Sequence, residues 1–271
     1  MKGSGPLRHE AERLPLETVW NYTMRVQFPK CFRPVGDEFG VLEAAHRTSP
    51  EPQRRMPALH AENLACRRGG RVVFTGLGFG LEQGEALLLT GRNGSGKSSL
   101  LRLLALMTPR LRGGLSWTGI EVTEQPDAWR QALAWLGHAD AIKADLTVRE
   151  SLAGAQMLRK GRLDSPDHAL SRFDLTPIAD RPGRYLSAGQ RRRAALARVM
   201  LSGAPIWLLD EPASGLDEPS RGALHLTLRE HMKGGGLAVI STHGDIHLPN
   251  ARPLDLGAFA PSADAQAEEW S

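Results

Sequence analysis

The sequence predicts an α/β fold in which a mainly parallel sheet carries helices, joined to an antiparallel β layer and a small helical region. Three observations carry this expectation. The run Ala86–Thr90 is apolar almost throughout and leads straight into a glycine-rich turn, as expected of a strand buried on both faces. Two further apolar runs, residues 205–209 and 237–241, end in polar residues at what would be the carboxyl edge of a parallel sheet, where such folds bind ligands. Short alternating segments at 59–66, 72–79 and 115–118, set off by glycine pairs, read as the antiparallel layer.

The remaining elements follow in chain order. Residues 98–106 form an amphipathic helix directly after the glycine-rich turn, and residues 138–184 read as short helices and turns. Residues 191–200 have the Ala and Leu spacing of a helix, with Ser187 as its amino cap and Gly203 as its stop. Before residue 58 no apolar period is sustained, and residues 48–57 are a Pro, Arg and Glu linker. The expected organisation is a poorly structured extension over 1–57, a domain over 58–250 with its helical part at about 138–195, and a tail over 251–271. Met56 stands at the edge of the first strand and is the expected translational start.

Bulk properties narrow the function classes. An apolar fraction of 41% in 271 residues supports a real core and excludes disorder throughout. The leucine-rich run 100–107 is interrupted by Arg102 and falls far short of the roughly 20 apolar residues of a spanning helix. The first 20 residues mix charges with scattered apolar side chains and have no signal-peptide pattern, so a cytosolic address is expected. Cys31 and Cys66 lack metal-site spacing and read as reduced thiols. A net charge of +4 is too modest to point to nucleic acid or a membrane surface.

The chemistry concentrates in four segments. Gly91, Arg92, Asn93, Gly94, Ser95, Gly96, Lys97 and Ser98 fit the phosphate-loop pattern between a buried strand and a helix. Its glycines let successive amides turn inward, and the helix amino terminus adds partial positive charge, so phosphate is the expected guest. Lys97 would reach the outer phosphates, and Ser98, assisted by Ser99, would ligate magnesium. Asp210 and Glu211 end an apolar run. Alone they would read as a helix cap, but beside a phosphate loop Asp210 reads as a magnesium holder and Glu211 as the general base.

The third segment is Leu186, Ser187, Ala188, Gly189 and Gln190, an LSxGQ sequence lying between the phosphate loop and the acid-ended strand. In this order the motifs resemble the ABC ATPase family, over about residues 58–245. The family resemblance implies a nucleotide-binding domain that takes ATP and Mg2+. It also implies a head-to-tail homodimer in which ATP lies between Lys97 of one copy and Ser187, Gly189 and Gln190 of another. Residues 214–217 resemble the D-loop, and His243, in the fourth segment, resembles the switch histidine that senses the terminal phosphate. His243 and His247 also have metal-ligand spacing, but no Cys or acidic cluster accompanies them.

Two departures from the family pattern are informative. Arg68 stands where an aromatic residue stacks on adenine, and its guanidinium would stack with less constraint on the base. His138 replaces the glutamine that touches magnesium and the membrane partner. The Gly137-His138 pair, Lys143, and the Leu146-Thr147 pair that follow resemble the subgroup serving haem export in cytochrome c maturation. That likeness implies separate integral membrane permease subunits, an ATP-driven export of haem or release of a haem-loaded chaperone, and a peripheral position on the cytoplasmic face of a bacterial inner membrane. The alternative is the ATPase of a lipid, drug or lipoprotein exporter, which would present glutamine at 138 and an aromatic near 68. An ABC ATPase acting directly on nucleic acid is disfavoured, because the span of about 90 residues from Lys97 to Ser187 leaves no room for a coiled-coil insertion.

Overall fold

A computed structural model of the chain describes residues 58–157 and 165–261. The expected extension over 1–57, the Met56 start and residues 262–271 of the expected tail lie outside the described residues.

The strands form two sheets. In the first, β1 (Leu59–Arg68), β2 (Arg71–Leu81), β4 (Arg112–Trp117) and β5 (Ile120–Glu121) run antiparallel in the order β2-β1-β4-β5. In the second, β3 (Ala86–Thr90), β6 (Leu133–Leu136), β7 (Ile206–Asp210), β8 (Leu237–Ser241) and β9 (Ala251–Asp255) are parallel in the order β6-β7-β8-β3-β9. The helices are α1 (Lys97–Leu104), α2 (Pro126–Ala132), α3 (Val148–Met157), α4 (Pro166–Arg172), α5 (Ala188–Leu201) and α6 (Glu218–Lys233).

The central strands are apolar without interruption because both faces of the parallel sheet are covered. Ile206 and Leu208 of β7, with Leu237 and Val239 of β8 and Leu87 and Leu89 of β3, pack with α1 and the antiparallel layer. Their neighbours Trp207, Leu209, Ala238 and Ile240 face the other way, into a core shared with α5, α6 and the helical region. Successive strand side chains point to opposite faces, so one apolar run serves two cores. Each fully buried Leu or Ile contributes roughly 1.5–3 kcal/mol relative to exposure.

The helical region is built by α3, α4 and α5, which pack on one another through Val148, Leu152, Leu170, Phe173 and Leu196. Here α5 runs on to Leu201, and Gly203 follows it at φ +57°, the left-handed turn that a helix end favours.

β5, α2, β6 and α6 have no counterpart among the elements expected from the sequence. Within the stretch expected as a tail, Ala251–Asp255 is a strand paired with β3, and Leu256 after it is buried. β9 is the edge of its sheet and half exposed, which is why it tolerates Pro253 and why no apolar pattern announces it.

Candidate functional site

The phosphate-loop residues, Asp210, Glu211 and His243 lie at the carboxyl ends of β3, β7 and β8. The turn after β3 bends through Gly91, Gly94 and Gly96, all with positive φ. At Gly96 the conformation and the packing agree. A Cβ there would stand 2.6 Å from Val73 Cγ1 and 3.2 Å from Phe74 Cδ1, so β2 presses against the loop and only glycine fits. At Gly91 a Cβ would stand 2.8 Å from Ser95 Oγ.

Inside this turn Lys97 is buried and its Nζ donates to the carbonyls of Gly91 at 2.8 Å and Arg92 at 3.3 Å. Its positive charge is therefore held within the loop. Ser95 Oγ is buried and has no hydrogen-bond partner among the described residues, and Gly96, at the N-cap of α1, offers no side-chain cap. An unpartnered hydroxyl, uncapped helix amides and a buried ammonium gathered in one turn fit the oxygens of a phosphate chain. Arg92 and Asn93 are exposed on the loop, and Ser99 is buried behind it.

Beside the loop, Ser98 Oγ donates to Asp210 Oδ1 at 3.1 Å. A hydroxyl and a carboxylate side by side are the hard oxygen donors that magnesium prefers, so the residues present fit that ion. Ser241, which the sequence reading passed over, locks this corner. Its Oγ donates to Asp210 Oδ1 at 2.6 Å and accepts from Glu211 N at 2.8 Å. The register explains the contact, since Asp210 and Ser241 are cross-strand neighbours in β7 and β8.

Glu211 takes φ +47°, an uncommon conformation for a residue with a side chain. It begins the turn that leads to α6, and His243 Nε2 lies 3.1 Å from Glu211 Oε1. Glu211 and His243, singled out separately in the sequence, are thus brought together from the ends of two strands. Asp217 caps α6 by accepting from Ser220 N at 3.0 Å, and the hydrogen bonds from Ser220 hold its carboxyl below the usual range.

The LSxGQ segment forms a capping box. Ser187 Oγ accepts from Gln190 N at 3.2 Å, and Gln190 Oε1 accepts from Ser187 N at 2.9 Å. Ser187 and Ala188 are exposed, and Gly189 is half-buried with its Cβ position 3.5 Å from Gly215 O. Gln190 therefore spends its amide oxygen on the cap. Arg68 is exposed at the end of β1, and His138 is exposed on the loop after β6. Among the described residues no cluster of three His, Cys, Asp or Glu side chains is placed to hold a metal, and no helix is long and apolar enough to cross a membrane.

Residues 74–214 match the family model described as ABC transporter. The chain is 50% identical over 206 residues to the cytochrome c biogenesis ATP-binding export protein CcmA of Paramagnetospirillum magneticum, covering 74% of this chain and 94% of that relative. It is 49% identical to the protein of the same name from Rhodospirillum rubrum, covering 78% and 91%. Among solved structures, an ABC transporter ATP-binding protein from Pyrococcus furiosus superposes with a TM-score of 0.66 at 21% identity, covering 75% of this chain and 99% of the other. An ATP-binding subunit of an ABC transporter superposes at 0.64 with 24% identity, covering 69% and 80%. These two support the fold alone. The sequence relatives decide the group: the chain belongs to the ABC transporter ATP-binding family and, within it, to the CcmA proteins of cytochrome c biogenesis.

Proposed function

We propose that this chain is the ATP-hydrolysing subunit of an export system in cytochrome c biogenesis. One observation carries the reading: the phosphate-shaped turn that holds Lys97 lies at three parallel strand ends where hydrogen bonds join Ser98 to Asp210, Asp210 through Ser241 to Glu211, and Glu211 to His243.

The loop amides from Gly91 to Lys97, with Ser99 behind them, hold the phosphates of ATP, and Lys97 exchanges its carbonyl partners for the outer phosphate oxygens. Ser98 and Asp210 would hold Mg2+, which neutralises phosphate charge when bound. His138, exposed on the loop after β6, would be the further side chain on the magnesium side of the site. Glu211 polarises the attacking water as general base, and His243, hydrogen-bonded to Glu211, responds to the terminal phosphate. Arg68 lies against the base.

Ser187 and Ala188 are exposed at the amino end of their helix, with Gly189 half-buried beside them, which supports a head-to-tail homodimer in which each LSAGQ turn covers the nucleotide of the other copy. Closure then completes two sites, and opening releases ADP and phosphate. Separate integral membrane permease subunits would take up this motion at the cytoplasmic face of the inner membrane, and the cargo is haem or a haem-loaded chaperone. The names of the CcmA relatives, ATP-binding export proteins of cytochrome c biogenesis, support the export part of that assignment.

The test is phosphate release by the purified chain together with complementation of a strain lacking it. Glu211→Gln should lower release by at least about a hundredfold with ATP still bound. Strains carrying it should lack haem-attached c-type cytochromes. Equal rates for the variant would remove Glu211 as the base, and normal cytochromes in the deletion strain would remove the export assignment.

A further inference from the structure

Arg192 sits in α5 just behind the LSAGQ turn and is only 6% exposed. A guanidinium is a planar, permanently charged fork, so the directions of its donors are fixed. Here the two prongs go to different loops. Nη1 donates to Gly137 O at 3.0 Å and to Asp140 Oδ1 at 2.9 Å. Nη2 donates to Asp210 O at 2.7 Å and to Glu211 O at 2.6 Å. The first loop follows β6 and carries His138. The second ends β7 and carries the carboxylates. β6 and β7 are parallel neighbours, so the fork spans two adjacent strand ends.

Holding α5 against the sheet does not by itself call for a buried charge. An apolar side chain would do it without the desolvation cost of an ion, which is commonly neutral or better for stability. The four acceptors also include the carbonyl of Glu211, which is held in a strained conformation at φ +47°. Ser241 fixes the amide of Glu211 and Arg192 fixes its carbonyl. The peptide groups on both sides of the carboxylate are thereby held, one by the neighbouring strand and one by the helix.

We propose that Arg192 is a positioning residue that ties the placement of Glu211 to the loop carrying His138, so that movement of that loop is delivered to the carboxylate acting on water. The proposal rests on Glu211 being the base. Because the prongs are rigidly joined, Gly137 and Asp140 cannot shift without dragging on the carbonyls of Asp210 and Glu211 or breaking the fork. A lysine would keep the charge and lose the coupling.

The experiment uses the full chain with Arg192→Lys, Asp140→Asn and both together. Steady-state phosphate release, ATP half-saturation, and amide hydrogen exchange of segments 137–141 and 210–213 are measured. Arg192→Lys should cut turnover by about tenfold or more while half-saturation stays within about twofold. Asp140→Asn should cut it severalfold in the wild-type background and no further beside Arg192→Lys, and it should raise exchange in 210–213, on the other strand. Unchanged turnover in Arg192→Lys, or effects of the two substitutions that simply multiply, would overturn the proposal. Should Arg192→Lys fail to fold, Asp140→Asn alone decides: exchange in 210–213 unchanged from wild type overturns it. Glu211→Gln serves as the separating control. If that variant turns over normally the base assignment fails, whereas a large loss there beside an unaffected Arg192→Lys removes only the positioning role.

Discussion

Ser241→Ala tests whether the catalytic corner is held from β8. The hydroxyl is fully buried, donates to Asp210 Oδ1 at 2.6 Å and accepts from Glu211 N at 2.8 Å. Removing it deletes a charge-assisted hydrogen bond, worth about 1.5–3 kcal/mol, and leaves a backbone donor unpaired, at about 1–3 kcal/mol. Because these effects share one group they do not add fully, and a loss of about 3 kcal/mol is expected. For a chain of this size that is a Tm decrease of roughly 6–12 °C. The released Glu211 amide also frees the carboxylate, and a misplacement on the order of 1 Å costs about a hundredfold in rate. Urea denaturation and phosphate release on the same preparation give both numbers. Ser241→Cys, which keeps the size with a weaker donor, should fall between. A denaturation midpoint equal to wild type, with turnover within about twofold, would refute the idea that this hydroxyl fixes Asp210 and Glu211.

Three further outcomes follow from the same geometry. Gly96→Ala places a Cβ 2.6 Å from Val73 at a positive φ, so it should abolish nucleotide binding measured by equilibrium titration; micromolar affinity retained in the variant would contradict the close packing. Ser187→Ala removes the N-cap of α5 at a cost of about 1 kcal/mol and, in a head-to-tail dimer, spoils the site of the other copy. Mixing it with Lys97→Ala should therefore regain phosphate release that neither has alone, and no gain on mixing would argue against shared sites. Burial lowers the imidazole of His231 to about 4, where it stacks on Trp207 at 3.8 Å and contacts Leu237 O. The unfolded chain then binds the extra proton first. The stability from keeping His231 neutral is complete above about pH 6.5 and is lost as pH falls toward 4, on the order of 3 kcal/mol in all. His231→Phe should flatten the denaturation free energy across that window, and an unchanged slope would place the proton elsewhere.

Much of the site was legible because its parts are local. A phosphate loop needs glycine at fixed offsets and a lysine at the helix start, and all of these lie within residues 91–98. Buried parallel strands announce themselves by unbroken apolar runs, as at Ala86–Thr90 and Leu237–Ser241. The cap at Ser187 was legible for the same reason, since a capping box spans one helical turn. β6 was not, because Leu133–Leu136 is too short and too apolar to be told by pattern from a buried helix segment.

The sequence by itself determined the kind of chemistry to expect: a turn suited to phosphate, a pair of carboxylates to act beside it, and the family these motifs resemble. It did so because those groups depend on neighbours within a few residues. Only the tertiary structure decided how the groups are fixed in place. Ser241 meets Asp210 across 31 residues of chain and Arg192 meets Gly137 across 55, and contacts at such separations are set by strand order and register. The strand at 251–255 belongs to the same class, since an exposed edge carries no burial pattern and is recognised only by the hydrogen bonds it makes to β3.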